Sequence, residues 1–316
     1  MNRKLKILRH INKNGIGIEI GPSHNPIAPK KEGFNVQIID HMSREQLIAK
    51  YKDHRVNTKN IEEVDYVWRE GINYPELTGK TKHYDWIIAS HVIEHTPDLI
   101  GFLIDCDNIL KDDGVISLVV PDKRYSFDHY RPISGISKII DSHFQKATIH
   151  TPGTVAEYFL NVVSKSGNIS WNSNTTGEYN FVHSLVNAVQ GMKSVVNENA
   201  YLDVHAWCFV PHSFRLIVHD LFCLGLIPLK EIDFFPTDGC EFYITLGKRG
   251  QGVNKSRMEM LKIVESEIKD EATSSEPGAV TQIARIGDII RRLTFIRPSV
   301  VKEKATSKDR KDRIIE

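Results

Sequence analysis

The sequence predicts an α/β fold built on a doubly wound, mostly parallel sheet. Short apolar runs alternate with helical patterns over about the first 120 residues, and the turns between them are short. That alternation is typical of parallel strands joined by crossover helices. Two later apolar runs are separated only by a tight turn, which predicts an antiparallel hairpin beside the parallel strands.

Five apolar segments are the candidate parallel strands. The fourth of them is continuously apolar, as expected for a strand that is buried on both faces. In chain order they are GIGIEIG (15–21), FNVQIID (34–40), EVDYVW (63–68), YDWIIAS (84–90) and GVISLVVP (114–121).

Capping residues mark the ends of the predicted helices. Ser43 is a suitable N-cap for the helix after the second strand. Thr96-Pro97 predicts the start of the next helix, with Pro at its first position. A later helix opens at Pro211 and ends at Gly225. LIPLKEIDFF and CEFYITLGK then form the predicted hairpin.

We expect one catalytic domain over residues 1–250 and a helical, partly disordered tail over residues 251–316. The regular alternation stops after the fifth strand, so residues 122–205 are predicted to form an inserted cap. Residues 282–316 hold ten Lys+Arg and five Asp+Glu, a net charge of +5. Their segment TQIARIGDIIRRLTFIRP predicts a basic amphipathic helix, which could lie on an anionic membrane surface, dock on a protein partner or pack on its own domain.

Composition excludes several classes of protein. The formal net charge of +1 gives no global field toward nucleic acid, and we expect no nucleic-acid partner. The four cysteines are scattered and form no CxxC pair, so we expect neither a disulfide framework nor a metal site. No apolar stretch has the ~20 residues of a membrane span. We therefore expect a cytoplasmic protein, with peripheral contact at the inner membrane face as an option for the tail.

Three carboxylates lie where predicted strands end. Glu19 precedes the first turn, Asp40 ends the second strand, and Asp65 lies at or near the third. In a doubly wound sheet these ends share one crevice, where ligands bind. Asp40 comes 19 residues after Gly21, a spacing that suits a carboxylate accepting both hydroxyls of a ribose.

The first turn discriminates between nucleotide ligands. A dinucleotide needs a G-x-G-x-x-G turn whose amides hold a pyrophosphate. Here the turn reads GPSHNP (21–26), in which two prolines lack an N–H and the later glycines are absent. S-adenosylmethionine carries no phosphate and is cationic, so one glycine beside a carboxylate suits it better.

The segments EIGP, IID, YDWIIASHVIEHTPD and DGVISLVVPD together resemble the class I, Rossmann-like S-adenosylmethionine-dependent methyltransferases. The chain is similar over about residues 14–248, in particular to bacterial members associated with polysaccharide assembly. The resemblance implies a seven-stranded sheet whose last strand is antiparallel, with S-adenosylmethionine as the cofactor. Ser23 and Asn25 depart from the usual family pattern, because they stand where glycines are common.

The resemblance also implies a set of cofactor residues. Glu19, Gly21 and Pro22 would line the methionine end, and Asp40 would take the ribose. Asp65 would lie near the adenine, and Ser90-His91 beside the sulfonium.

Methyl transfer to oxygen needs a base, for which the sequence offers three histidines. His91 and His95 follow the fourth strand, and His205 returns from the inserted segment. Glu94-His95 could instead brace the turn into the next helix. The predicted acceptor-binding residues follow the fifth strand and are Asp122, Arg124, Tyr125 and Asp128.

A hydroxyl or carboxyl on a sugar, glycan or small metabolite is the favoured acceptor. The fourth strand does not end in the Asn/Asp-Pro-Pro-aromatic motif of enzymes that methylate planar amide or adenine nitrogens. Two other functions stay open. One is a non-catalytic methyltransferase-like binding module in a glycan-assembly complex, and the other is a nicotinamide-dependent sugar oxidoreductase.

Overall fold

The computed structural model describes residues 1–54 and 56–273. In this part of the chain the strands are β1 Ile16–Ile20, β2 Asn35–Asp40, β3 Tyr66–Val67, β4 Tyr84–Ser90, β5 Leu110–Pro121, β6 Val163–Lys165, β7 Tyr179–Phe181, β8 Lys230–Asp238 and β9 Glu241–Gly247. The helices are α1 Arg3–Ile7, α2 Arg44–Tyr51, α3 Tyr74–Thr78, α4 Leu99–Ile109, α5 Ile136–Phe144, α6 Pro152–Asn161, α7 Leu185–Glu198, α8 Pro211–Cys223 and α9 Arg257–Thr273.

A mixed sheet of seven strands organises the described residues, in the order β3-β2-β1-β4-β5-β9-β8. The pairs from β3 to β5 are parallel, while β9 runs antiparallel to both β5 and β8. The order reverses between β1 and β4, so the crevice of the sheet opens at the carboxyl ends of these two strands. The predicted fold class, with its antiparallel last strand, is confirmed.

Apolar layers cover both faces of the sheet. Ile87 and Ala89 of β4 belong to one buried cluster, and Trp86 and Ile88 belong to another. Because successive residues of a strand face opposite sides, the strand is buried on both faces, as its continuous apolar run predicted. Burial of β4 fixes the position of the residues that follow it.

The caps of two helices show where local prediction succeeds and fails. Ser43 caps α2 through a full capping box with Gln46, as predicted. The start predicted at Thr96-Pro97 is wrong, because Asp98 is the N-cap of α4 and accepts from the amide of Gly101 at 2.8 Å. Thr96 instead closes the preceding short turn by donating to the carbonyl of Ile93.

The inserted segment 122–205 contains α5, α6, α7 and the small β6–β7 hairpin. Helices α6 and α7 pack on each other around a separate apolar cluster that includes Val155, Phe159 and Val195. The predicted cap therefore has its own small core and lies over the carboxyl ends of the strands.

Helix α9 packs on α8 and is tied to the domain by Glu267. The carboxylate of Glu267 accepts from the amide of His212, and its carbonyl accepts from Arg124. The predicted basic helix and the rest of the tail beyond residue 273 lie outside the described residues. Within the part that is described, no helix has the length and apolar character needed to cross a membrane.

Candidate functional site

The turn after β1 is shaped by backbone that only small or polar residues adopt easily. Gly21 has φ +65°, and a Cβ placed there would lie 3.2 Å from the Val92 side chain. The turn therefore passes close to the loop after β4, which requires glycine. Ser23, where the family pattern has a glycine, also takes a left-handed conformation with φ +49°. Pro22 accepts from the amide of Asn25 and closes the turn.

Glu19 holds the far end of this turn. Its two carboxylate oxygens accept from the amides of Ile27 and Ala28 at 2.7 and 3.0 Å. The side chain is buried, and burial raises the pKa of Glu19 to about 7, against the lowering effect of the two amides. Glu19 thus fixes the segment after the turn, and its contact to the methionine end of the cofactor stays a prediction.

Asp40 joins the end of β2 to the same turn. One of its oxygens accepts from the Ser23 amide at 3.0 Å, and the other from the His41 amide at 2.8 Å. The carboxylate thus lies between the two strand ends, where the family would place a ribose. The His41 ring nitrogen Nδ1 also lies 2.6 Å from this carboxylate. At most two of the four lone-pair sites of Asp40 therefore remain for ligand hydroxyls.

Asp65 lies just before β3. It accepts from the Ile38 amide at 2.8 Å and from the Lys30 ammonium at 2.9 Å. Its side chain is part-exposed, so an adenine could reach it, but the ion pair already occupies one oxygen. Ser90, at the end of β4, accepts from the Arg3 guanidinium at 3.0 Å.

A cationic nucleoside fits this edge of the sheet. Carboxylates end or flank β1, β2 and β3. A pyrophosphate would meet these negative charges without the amide cradle that it requires. Glu19, Asp40 and Asp65 thus lie at neighbouring strands of the sheet, and their contacts to S-adenosylmethionine stay a prediction.

On the acceptor side, Glu94 is the central residue. It follows β4 in a short turn, is 0% exposed, and neither carboxylate oxygen has a hydrogen-bond partner in the structure. Its carbonyl accepts from the amides of Ala206 and Trp207, which brings the end of the cap against the β4 loop. A buried carboxylate without donors is costly unless a positive group approaches it.

Three imidazoles surround Glu94, and the name histidine cluster is used here for His91, His95 and His205 together with Glu94. His91 Nδ1 lies 3.5 Å and His205 Nε2 lies 3.9 Å from Glu94 Oε1. The rings of His95 and His205 pack edge to face at 4.6 Å. All three predicted catalytic histidines are therefore brought together.

Each imidazole has a carboxylate on its outer side. His91 Nε2 lies 2.7 Å from Glu241, and His95 Nδ1 lies 2.8 Å from Asp203. His205 Nδ1 lies 2.5 Å from Asp128. An outer carboxylate fixes the ring orientation and leaves the other nitrogen toward the cluster for His91 and His205.

The electrostatics follow from these pairs. Burial opposes charge on His95, but the Asp203 carboxylate outweighs it and raises the pKa of His95 to about 9. For Asp128, burial is outweighed by the charges of His205 and Arg131, which hold its pKa well below the usual range. Burial of Glu241 is likewise outweighed by His91 and Arg3, so its pKa falls to about 2. The outer carboxylates are thus anionic partners of the rings.

The structure changes the roles expected for the residues after β5. Asp122 is fully buried and engaged by Arg124 and by the Thr237 hydroxyl at 2.6 Å. Arg124 in turn reaches α9, so both have structural roles instead of the predicted acceptor contact. Tyr125 lies under the Arg124 guanidinium at 5.3 Å. Asp128 orients His205, and its buried carboxylate is not presented to an acceptor.

Sequence reasoning missed Glu241, and it named Asp128 without its pairing to His205. Glu241 is 150 positions from His91 in the chain, and Asp128 is 77 positions from His205. No local pattern joins residues at such separations, so only the pairing of β5 with β9 and the return of the cap could reveal these contacts. Asp203 stands two residues before His205 in the sequence, but its contact with His95 is also a product of the fold.

A pocket of about 280 Å³ with both polar and apolar lining lies next to segments that follow the histidine cluster in the chain. Ala206 and Trp207 line it directly after His205, and Pro97 lines it two residues after His95. The Lys138 ammonium lies in its wall and donates to the Ala206 carbonyl. The remaining lining residues are Ser137, Asp141, Ser142, Gln145, Ala147, Ile149, His150, Thr151 and Thr154.

Comparison with known proteins finds a family model that matches about half of the chain. Residues 3–158 match the family model of a methyltransferase domain. No curated protein matches the chain in sequence. Similar solved structures include a S-adenosylmethionine-dependent methyltransferase from Methanosarcina mazei (12% identical, 78% of this chain and 97% of that chain, TM-score 0.39) and a putative S-adenosylmethionine-dependent methyltransferase from Listeria monocytogenes (10%, 78% and 96%, TM-score 0.39). A putative zinc-dependent alcohol dehydrogenase from Rhodobacter sphaeroides is also similar (12%, 78% and 88%, TM-score 0.40).

Proposed function

We propose that the chain is a class I S-adenosylmethionine-dependent methyltransferase that methylates a hydroxyl or carboxyl oxygen. The match of residues 3–158 to the family model of a methyltransferase domain supports this proposal. The observation that carries this proposal is the histidine cluster at the carboxyl end of β4. The cofactor supplies an activated methyl group, so what the protein must add is position and, for an oxygen acceptor, removal of a proton.

His91 is the proposed base. Its Nε2 donates to Glu241 at 2.7 Å, so the neutral ring keeps a lone pair on Nδ1. Nδ1 lies 3.5 Å from Glu94, whose negative charge stabilises the imidazolium formed when His91 takes the proton of the acceptor oxygen. The His91 side chain is 38% exposed, so an acceptor can reach it.

The polar groups of the pocket support a hydroxyl-bearing acceptor. Hydroxyl, amide, ammonium and carboxylate groups line it beside apolar residues such as Trp207, a mixture that suits the polar edges and apolar faces of a sugar ring. We therefore propose a sugar, a glycan or a similarly polar small metabolite as the substrate.

The proposal is tested by incubating the protein with isotopically labelled S-adenosylmethionine and a panel of sugars, glycans and polar carboxylic acids. Mass spectrometry should find one labelled methyl group on an acceptor oxygen. The His91→Asn variant should lower kcat by about 100-fold or more, since general-base catalysis contributes that much, while the Kd for the cofactor stays within twofold. Asparagine suits the left-handed backbone at this position, where φ is +55°.

His10→Asn is the matched control, because His10 is also paired with a carboxylate (Asp233, 2.9 Å) and similarly exposed, but lies outside the site. Its kcat should equal that of the parent protein. Cofactor binding without transfer to any acceptor of the panel would favour the non-catalytic binding module. An undiminished kcat in His91→Asn would refute the role given to His91.

A further inference from the structure

We propose that Glu94, His95 and His205 bind a divalent transition-metal ion. One candidate ligand atom from each residue lies within 4.8 Å of the others. Metal–ligand bonds to nitrogen and oxygen are about 2.0–2.2 Å long, so small side-chain movements would close the three atoms around one ion. Binding of the ion stands on these residues alone, while its catalytic role rests on the proposed function.

The state of Glu94 is the independent observation that points to a cation. The residue is 0% exposed and both carboxylate oxygens lack a hydrogen-bond donor. In the interior such a charge is compensated by a paired cation or a metal. The nearest nitrogens, on His91 and His205, lie at 3.5 and 3.9 Å, so neither closes a hydrogen bond.

The outer carboxylates complete the pattern of a metal site. Ligating histidines commonly donate their second ring nitrogen to a carboxylate, which sets the tautomer and raises the basicity of the ligand. Asp128 lies 2.5 Å from His205 Nδ1, and Asp203 lies 2.8 Å from His95 Nδ1. Asp128 is itself held by the buried Arg131 at 2.8 Å, so the orientation of His205 is doubly fixed.

The donor set selects the class of metal. Two imidazoles with one carboxylate suit zinc, manganese, iron or cobalt in the divalent state, whereas calcium prefers oxygen ligands alone. Three protein ligands leave coordination positions for further groups, as in catalytic sites. An acceptor oxygen bound there would lose its proton more readily, and His91, on the open side of the cluster, would receive it. A metal site of this kind would contradict the expectation, drawn from the scattered cysteines, that the chain has no metal site.

Titration of the chelator-treated full chain with Co²⁺ tests the site, because cobalt bound by two imidazoles and a carboxylate gives a visible absorption spectrum. We expect one equivalent to bind, with Zn²⁺ displacing it. Glu94→Gln keeps the side-chain shape and should weaken Co²⁺ binding at least 100-fold. His95→Asn, at a side chain that is 29% exposed, should weaken it at least 10-fold, and His10→Asn should leave it unchanged.

Stoichiometry well below one in the parent protein, or equal affinity in Glu94→Gln and the parent, would overturn the metal site. These measurements contain neither cofactor nor acceptor, so they are independent of methyl transfer. Full transferase activity in chelator-treated protein would remove the catalytic role of the ion and leave the proposed function intact. Tight cobalt binding without any methyl transfer would support the metal site and contradict the proposed function.

Discussion

The two sides of the crevice satisfy their carboxylates in opposite ways. On the cofactor side, Glu19 and Asp40 accept hydrogen bonds from backbone amides through both of their carboxylate oxygens. On the acceptor side, Glu94 is equally buried and has no donor at all. The first side gives its carboxylates hydrogen-bond donors from the backbone, whereas the second leaves Glu94 to the imidazoles around it and to any cation that binds there.

The largest effect is expected for Asp128→Asn, which removes the negative charge that pairs with His205 and Arg131 on the acceptor side. Asp128 neutralises Arg131, whose side chain is 0% exposed and whose other carboxylate partner is the part-exposed Glu157. Loss of the charge should lower the free energy of unfolding by about 3–5 kcal/mol, because it leaves a buried cation undercompensated. Urea unfolding measures it. Asp141→Asn, at an exposed carboxylate in the same cap, should change stability by less than about 0.5 kcal/mol.

A pH series on Glu19→Gln addresses the cofactor side. An ordinary carboxyl ionises near pH 4.5, while burial raises the pKa of Glu19 to about 7 in the folded protein. Between these values the folded state holds a proton that the unfolded state has lost, so the free energy of unfolding falls as pH rises. The parent protein should lose about 3 kcal/mol across this window from Glu19, and the glutamine variant should lose none of that component. Parallel pH profiles for the two proteins would show that the amides keep Glu19 ionised throughout.

The positions of the strand ends that form the site could be predicted from the sequence, because local apolar patterns mark them. Strand ends are marked by apolar runs that stop at Glu19, Asp40 and the residues after β4, and burial alone brings such ends to one edge. The sequence could not predict what engages each carboxylate. Asp122 and Asp128 both follow β5 and both have an arginine within three residues, yet Asp122 is held by Arg124 whereas Asp128 is held by Arg131 and by the distant His205.

The reason is that long-range packing decides these partners. Glu241 meets His91 because β9 inserts antiparallel beside β5, and His205 meets Glu94 because the cap returns against the β4 loop. The wrong prediction for the start of α4 has a local cause instead. Asp98 and Thr96 are both good N-caps. The Thr96 hydroxyl donates to the carbonyl of Ile93 in the short turn over 93–95, so Asp98 caps the helix.

On the cofactor side, Asp40→Ala should weaken S-adenosylmethionine binding by about 1–3 kcal/mol, because the carboxylate is placed to accept from ribose hydroxyls. Calorimetry with S-adenosylmethionine and S-adenosylhomocysteine measures the change. The two ligands should lose equal affinity, since they share the ribose and differ only in the methyl and its charge. An unchanged Kd for both would mean that Asp40 serves only the Ser23 and His41 amides.

The smallest effect is expected at Asp65. Substitutions there distinguish a carboxylate that only forms an ion pair with Lys30 from one that also contacts the cofactor. Its carboxylate is part-exposed and already paired with Lys30 at 2.9 Å, and exposed pairs contribute little to stability. Asp65→Asn keeps an oxygen for the Ile38 amide, so stability should change by less than about 1 kcal/mol. If Asp65 lies near the adenine, the variant should still weaken cofactor binding two- to fivefold, whereas Lys30→Met should not. Equal and small losses in both variants would assign the carboxylate to the ion pair and place the adenine elsewhere along β3.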